Sequence, residues 1–199
     1  MIDMTAKIYL VRHGETEWNR DDRMQGQQDS LLTAKGRAQA KQTGRALARV
    51  GADNLPTWVS PLGRAVATSA LIAEEVALGP VMLEPRVKEV GLGSWEGWTG
   101  EEIARFHGEA LADIPRSAWG FYSPDGEGFE LAASRVREWL GERTESAILV
   151  IAHGMIGRVF RGLLTSMTPE EAMISNVPQD AIWCFHEGHL TELAVEGLS

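Results

Sequence analysis

The chain has 199 residues, 44% of them hydrophobic and 24% charged, a composition that supports one well-filled core and argues against intrinsic disorder. Its formal net charge of −9 disfavours nonspecific binding to nucleic acid or to an anionic membrane. An anion would therefore have to bind where basic side chains are gathered locally.

In chain order, short apolar segments alternate with longer amphipathic ones, which is typical of an α/β fold. Strands are predicted at residues 7–11, 57–60, 81–84 and 147–152. Helices are predicted at residues 33–50, 64–76, 99–107 and 129–143, and from Gly154 through Leu164. A terminal hairpin is predicted from strands 181–186 and 190–195 around the Glu187-Gly188 turn. We therefore expect a three-layer α/β/α sandwich with a mostly parallel central sheet and a C-terminal antiparallel hairpin.

The chain is expected to form a single domain over residues 1–199. Within it, residues 91–128 are rich in glycine, proline, tryptophan and acids, and aromatic side chains such as Trp119 need burial. We interpret this segment as one that folds over the active-site face of the domain, rather than as a linker.

Three features of the sequence bear on the cellular location: the cysteine content, the N-terminal residues and the length of the apolar runs. Cys184 is the one cysteine, so no intrachain disulfide is possible and a cytoplasmic location is expected. The first residues do not have the pattern of a signal peptide. No apolar run approaches the roughly 20 residues needed to span a bilayer.

Two predicted strands end in the same way, one at YLVRHG and the other at VIAHG. Ligands of open α/β sheets bind outside the carboxyl ends of the strands. If the two strands are neighbours, His13 and His153 would face each other there. The glycine after each histidine, Gly14 or Gly154, lets the backbone approach an anion and offers it an N–H group.

Basic and polar side chains are predicted to surround these histidines. Arg12 adjoins His13, and Arg64 begins a helix directly after a strand. Arginine suits phosphate because its planar fork donates two parallel hydrogen bonds. Asn19, Gln25 and Gly26 follow the first strand and can supply further donors, so the sequence predicts a local phosphate site.

The segments LVRHGETEWN, SPLGRAVATS, KEVGLGSWEG and IAHGMIGR occur in this order and together resemble the histidine phosphatase superfamily, also called phosphoglycerate mutase-like, in its phosphatase branch. The resemblance covers nearly the whole chain. It implies that His13 is the phosphorylated nucleophile and that Arg12, Arg64 and His153 bind the transferring phosphoryl group. It also implies that Asn19 assists and that Glu89 donates the proton.

The sequence departs from the family at one motif. Residues 124–128 read PDGEG, where many members have P-x-G-E-S. Loss of the serine hydroxyl puts any substrate contact at this position in doubt.

The chemistry leads to separate expectations for the three titratable groups. A neutral His13 is a competent nucleophile near pH 7, and its second nitrogen should donate to a backbone carbonyl. His153 is expected to act as a protonated donor. Glu89 is expected to stay protonated near a phosphate dianion and to act as general acid. No metal and no cofactor are expected, because the arginines supply the positive charge.

The sequence thus predicts a metal-independent phosphomonoesterase acting on a small phosphorylated metabolite, with no nucleic-acid or membrane partner and an open oligomeric state. Alternatives are a phosphoglycerate mutase-type phosphotransferase, a metal-dependent hydrolase, and an inactive protein that binds phospho-ligands. Residues 91–100 lack the Y-G-x-L-x-G-L-N-K stretch of the cofactor-dependent mutases. The acidic residues of this segment are expected to disfavour the binding of a bisphosphorylated acid.

Overall fold

The computed structural model describes residues 6–195 and contains one six-stranded sheet. The strands are β1 (Lys7–Arg12), β2 (Thr57–Val59), β3 (Val81–Leu83), β4 (Ala147–Ala152), β5 (Ala181–His186) and β6 (His189–Ala194). They are ordered β3-β2-β4-β1-β5-β6. Strands β1 to β4 run parallel, and β5 is antiparallel to both β1 and β6.

Seven α-helices occur within the described residues. They are α1 (Glu17–Arg20), α2 (Ala34–Arg49), α3 (Gly63–Ala73), α4 (Gly100–His107), α5 (Gly128–Gly141), α6 (Gly154–Leu164) and α7 (Pro169–Ile174). Three 3₁₀ turns cover Pro85–Val87, Gly93–Trp95 and Arg116–Tyr122. No helix in residues 6–195 is both long and apolar enough to cross a membrane.

Side chains of β4 alternate between two hydrophobic cores on opposite faces of the sheet. Ile148 and Val150 pack with apolar residues of α5 and α6, whereas Leu149 and Ile151 pack with those of α2 and α3. This alternation is the two-residue period of a strand buried on both faces. The predicted α/β sandwich with a mostly parallel sheet and a C-terminal antiparallel pair is therefore confirmed.

The observed elements differ from the predicted ones mainly where they are short. α1 and α7 were not predicted, because four and six residues are too few to show a helical apolar period. Their starts are nevertheless encoded locally, since Thr16 and Thr168 each form a capping box. The second hairpin strand starts at His189 rather than Leu190. The N-terminal residues considered for a signal peptide, and both ends of the expected 1–199 domain, reach outside the described residues.

Candidate active site

The parallel register of β1 and β4 brings the two histidines together. Arg12 pairs with Ala152, and the His13 N–H donates to the Ala152 carbonyl at 3.0 Å. The rings of His13 and His153 follow directly, with centroids 5.2 Å apart and exposed fractions of 2% and 1%. The predicted meeting of two strand ends is therefore present in the structure.

The His13 ring is held with one nitrogen directed toward the backbone. Its Nδ1 lies 2.8 Å from the Gly14 carbonyl oxygen, which can only accept, so Nδ1 carries the proton. Nε2 therefore carries the lone pair of the ring, which accepts from Arg64 Nε at 3.2 Å. The expected donation to a backbone carbonyl is thus observed, and it leaves Nε2 as the ring nitrogen that bears a lone pair.

Arg64 is fixed at the start of α3 by the segment that follows α1. Its Nη2 donates to the Gly26 carbonyl at 2.8 Å, and its Nη1 donates to the Gln28 carbonyl and to Asp29 Oδ1. Asp29 also accepts from the Gly63 N–H and so caps the helix. The Arg64 guanidinium is therefore placed beside His13 without freedom to rotate away.

Arg12 and Gly154 lie against each other at the ends of β1 and β4. Arg12 Nη1 donates to the Val177 carbonyl at 2.7 Å, and its buried Nε has no hydrogen-bond partner within residues 6–195. A Cβ added to Gly154 would lie 3.4 Å from the Arg12 guanidinium carbon, so glycine allows close contact there. Desolvation lowers the pKa of Arg12 to about 10, with Glu89 opposing the shift and nearby arginines adding to it. Arg12 remains a cation at neutral pH.

The surroundings of both histidines favour the neutral imidazole. Burial first, and then the positive charges of Arg64 and Arg12, hold the pKa of His13 well below its usual 6.5. Burial and the same arginines, together with His13 and Arg135, do so for His153. Burial and the surrounding cations thus oppose the expected protonation of His153, which stays a prediction for the site with phosphate bound.

Glu89 lies at the N-terminus of α6. Its Oε1 accepts from the N–H groups of Val90 and Ile156 at 3.0 and 2.8 Å, and its Oε2 accepts from Met155 at 3.1 Å. All three contacts use the carboxyl oxygens as acceptors. These hydrogen bonds fix the Glu89 carboxyl group against the first turn of α6.

A cavity of about 460 Å³ opens in front of His13. Seven of the nine proposed site residues line it, namely Arg12, His13, Asn19, Gln25, Gly26, Arg64 and Glu89. His153 and Gly154 are not among the lining residues, but His153 contacts His13 and Gly154 contacts Arg12. Asn19 Oδ1 already accepts from the Thr16 N–H and from Gln179 Nε2, so the amide group of Asn19 is oriented by its neighbours.

Three further arginines line the cavity and were missed by the sequence reasoning: Arg23, Arg116 and Arg158. Arg158 had a detectable signal, since it lies four residues after Gly154 and hence on the same face of α6. Arg116 belongs to the 91–128 segment and pairs with Asp22. The 91–128 segment thus contributes an arginine to the cavity, whereas the expectation that residues 91–100 disfavour a bisphosphorylated acid stays a prediction.

The backbone conformation at residue 128 explains why glycine replaces the serine of the P-x-G-E-S motif there. Gly128 has φ +68° at the start of α5, a conformation that favours glycine over serine. None of residues 124–128 lines the cavity. The missing hydroxyl therefore leaves the described site intact.

The described residues contain no group of three or more His, Cys, Asp or Glu side chains arranged to hold a metal ion. The positive charge next to His13 comes from guanidinium groups.

Comparisons with known proteins agree with this geometry. The chain is 33% identical over 161 residues to the protein named Probable phosphoglycerate mutase GpmB of Enterobacter sp. (strain 638), covering 75% of this chain and 70% of the other. It is 32% identical over 191 residues to the 2,3-bisphosphoglycerate-dependent phosphoglycerate mutase of Methylobacterium radiotolerans, covering 88% of each. The solved structure of Bacillus stearothermophilus YhfR superposes with a TM-score of 0.77 at 28% identity, covering 98% of each chain. Residues 8–187 match the histidine phosphatase superfamily, branch 1, and the chain belongs to that family.

Proposed function

We propose that the protein is a metal-independent phosphomonoesterase that hydrolyses a small phosphorylated metabolite through a phosphohistidine on His13. The observation that carries this proposal is the orientation of the His13 ring. Its Nδ1 is committed to the Gly14 carbonyl, and its Nε2 is presented beside the Arg64 guanidinium in an arginine-lined cavity. A fixed nucleophile among positive charges is what phosphoryl transfer needs.

In the first step, the lone pair of His13 Nε2 attacks phosphorus. The N–P bond forms while the bond from phosphorus to the ester oxygen breaks, and that oxygen leaves with its electron pair. Glu89 lines the cavity and, once protonated, gives its proton to the leaving oxygen. The Arg12 and Arg64 guanidinium groups stabilise the charge on the transferring oxygens.

In the second step, water attacks the phosphorus of phosphohistidine and the N–P bond breaks. Glu89 takes a proton from the attacking water and returns to its protonated form, and His13 recovers its lone pair. Inorganic phosphate then leaves.

Access of solvent favours hydrolysis over transfer to a second metabolite. Asp22, Arg23 and Arg116 line the cavity, and their side chains are 70%, 41% and 56% exposed. Water can therefore reach a phosphohistidine at His13. A mutase has to keep water away from the same intermediate.

A phosphoglycerate mutase-type phosphotransferase is the second candidate. Arg23, Arg116 and Arg158 provide positive charge beyond that needed for one phosphoryl group, and both curated relatives are named as mutases. Incubation with a phosphoglycerate separates the two activities. Release of inorganic phosphate without isomerisation supports the hydrolase, whereas isomerisation that outpaces phosphate release would make the protein a mutase.

The test of the hydrolase is turnover of p-nitrophenyl phosphate at mildly acidic pH. Wild type should release p-nitrophenol, and H13A should lose this activity almost completely because the nucleophile is gone. H186A is the matched control, since His186 is exposed at the end of β5 and should leave the rate unchanged. Activity should also survive a strong chelator. Equal rates in wild type and H13A, or loss of activity in chelator, would contradict the proposal.

A further inference from the structure

Ser60 is brought to His153 by the order of the strands. It follows β2 directly, and its N–H donates to the Ile151 carbonyl of β4 at 3.0 Å. Its Oγ lies 2.6 Å from His153 Nε2, and both residues are buried. Neither residue is among those that line the cavity, but the His153 ring is in contact with that of His13.

The other ring nitrogen of His153 has no partner. Nδ1 is buried and makes no hydrogen bond among the described residues. Leaving a buried polar nitrogen unpaired costs about 1–3 kcal/mol, and a group that bonded to Nδ1 would remove this cost. Its ring adjoins His13, where the proposed function places the phosphoryl group.

A neutral imidazole carries one proton, on either Nδ1 or Nε2. Only the Nδ1–H form can donate to a phosphoryl oxygen from the unpaired side. The Ser60 hydroxyl accepts from the Leu62 N–H at 3.4 Å, and its own proton can be donated to Nε2. Donation from Ser60 to Nε2 is compatible only with the Nδ1–H form of the ring.

We propose that Ser60 is a positioning residue whose hydroxyl donates to His153 Nε2, keeps the ring proton on Nδ1, and so makes a neutral His153 a hydrogen-bond donor to the transferring phosphoryl group. The last part of this proposal rests on the proposed function. The proposal accounts for a donor at this place without requiring an imidazolium ion.

The charged and titratable groups facing His153 explain why a neutral donor is needed. Arg64 approaches from α3, Arg135 from α5, and Arg12 and His13 from the end of β1. All four oppose a positive charge on the buried ring. Without Ser60, the ring can move its proton to Nε2, and the Nδ1 lone pair would then face the phosphoryl oxygens.

The test compares Ser60→Ala with Ser60→Thr, which keeps the hydroxyl, and uses Ser69→Ala as the control for loss of another buried serine hydroxyl. Imidazole ¹⁵N chemical shifts are measured for each enzyme, unliganded and with orthovanadate. Wild type should show a protonated Nδ1 and an accepting Nε2. In S60A the proton should shift toward Nε2, and kcat/KM should fall by about 10- to 100-fold, as is usual for groups that orient a ligating histidine.

S60T should restore the wild-type shifts and most of kcat/KM, and S69A should change neither. Retention of the Nδ1–H form and full kcat/KM in S60A would overturn the proposal, as would a doubly protonated His153 in wild type at neutral pH. The ¹⁵N shifts of wild type test the proposal even if S60A fails to fold. They also separate it from the proposed function, whose failure would appear as absent turnover in wild type.

Discussion

At the residue scale, the site depends on two imidazoles for which burial, and then the cations around them, favour the neutral state. His13 needs this state to offer a lone pair, and His153 needs it to be compatible with Arg12 and Arg64. The arrangement also affects the stability of the fold, because both rings titrate normally once the chain unfolds.

Acidification is predicted to destabilise the protein over the titration range of free histidine. The unfolded chain binds protons at His13 and His153 near pH 6.5, whereas the folded chain binds them only at much lower pH. The free energy of unfolding should therefore fall below about pH 6.5, by up to about 1.4 kcal/mol per pH unit for each ring. Urea denaturation at a series of pH values between 7.5 and 5, without phosphate in the buffer, measures this slope.

The double variant H13Q/H153Q is the control for this slope. Carboxylates with a lowered pKa, such as Glu84, contribute only at more acidic pH, since their ordinary pKa is 4.5. A flat profile in wild type, or an unchanged slope in the double variant, would contradict neutral buried histidines.

The sequence was sufficient to identify the residues that follow a strand directly. His13, Arg12 and His153 were found because a strand end fixes the position of the next residue. The hydrogen bonds of Glu89 and the placement of Arg116 could not be found in this way. They depend on how the turns at residues 85–95 and 116–122 fold over the sheet. The spacing of apolar residues in the sequence does not predict how these turns fold.

At the element scale, close packing between the loop after β1 and the first turn of α2 positions His13. A Cβ on Gly14 would lie 2.2 Å from the Gly36 carbonyl oxygen, and one on Gly36 would lie 2.0 Å from the Glu15 carbonyl oxygen. The two backbone segments therefore touch without room for a side chain. Thr33 fixes the start of α2 at this contact by accepting from the Gly36 N–H at 3.0 Å.

Gly36→Ala is predicted to damage both stability and catalysis. The added methyl group must push the loop that carries His13, and overpacking of this kind costs about 1–3 kcal/mol. A displaced nucleophile should also lower kcat/KM by about 10- to 100-fold. Urea denaturation and steady-state kinetics measure the two effects.

Gly141→Ala is the matched control, because a Cβ added there meets nothing within 4 Å. It should leave kcat/KM unchanged and the free energy of unfolding within about 1 kcal/mol of wild type. A G36A variant that behaves like G141A would show that this contact does not position the nucleophile.

Most strands and long helices could be predicted because their apolar periods extend over several residues. β4 is the clearest case, with six residues that are all hydrophobic and pack on two faces. By contrast, α1 and α7 are set by capping residues alone. These two helices can be recognised only from their capping residues, because they are too short to show a helical spacing of apolar residues.

At the scale of the whole molecule, charge is distributed unevenly. The chain carries a formal charge of −9, yet five arginines line one cavity. Asp22 and Glu89 also line this cavity, but most of the acidic residues lie elsewhere. We therefore expect the cavity to attract a small phosphorylated anion and the remaining surface to repel polyanions.

The most direct test of the central claim is to trap the phosphoenzyme. Wild-type protein is mixed rapidly with p-nitrophenyl phosphate, quenched in alkali to preserve phosphohistidine, digested, and analysed by mass spectrometry. We predict a single phosphoryl group on the peptide that contains His13, lost after brief treatment with acid and absent from H13A. A phosphoryl group on another residue, or turnover with no phosphoenzyme under conditions that trap it in a known phosphohistidine enzyme, would contradict the account.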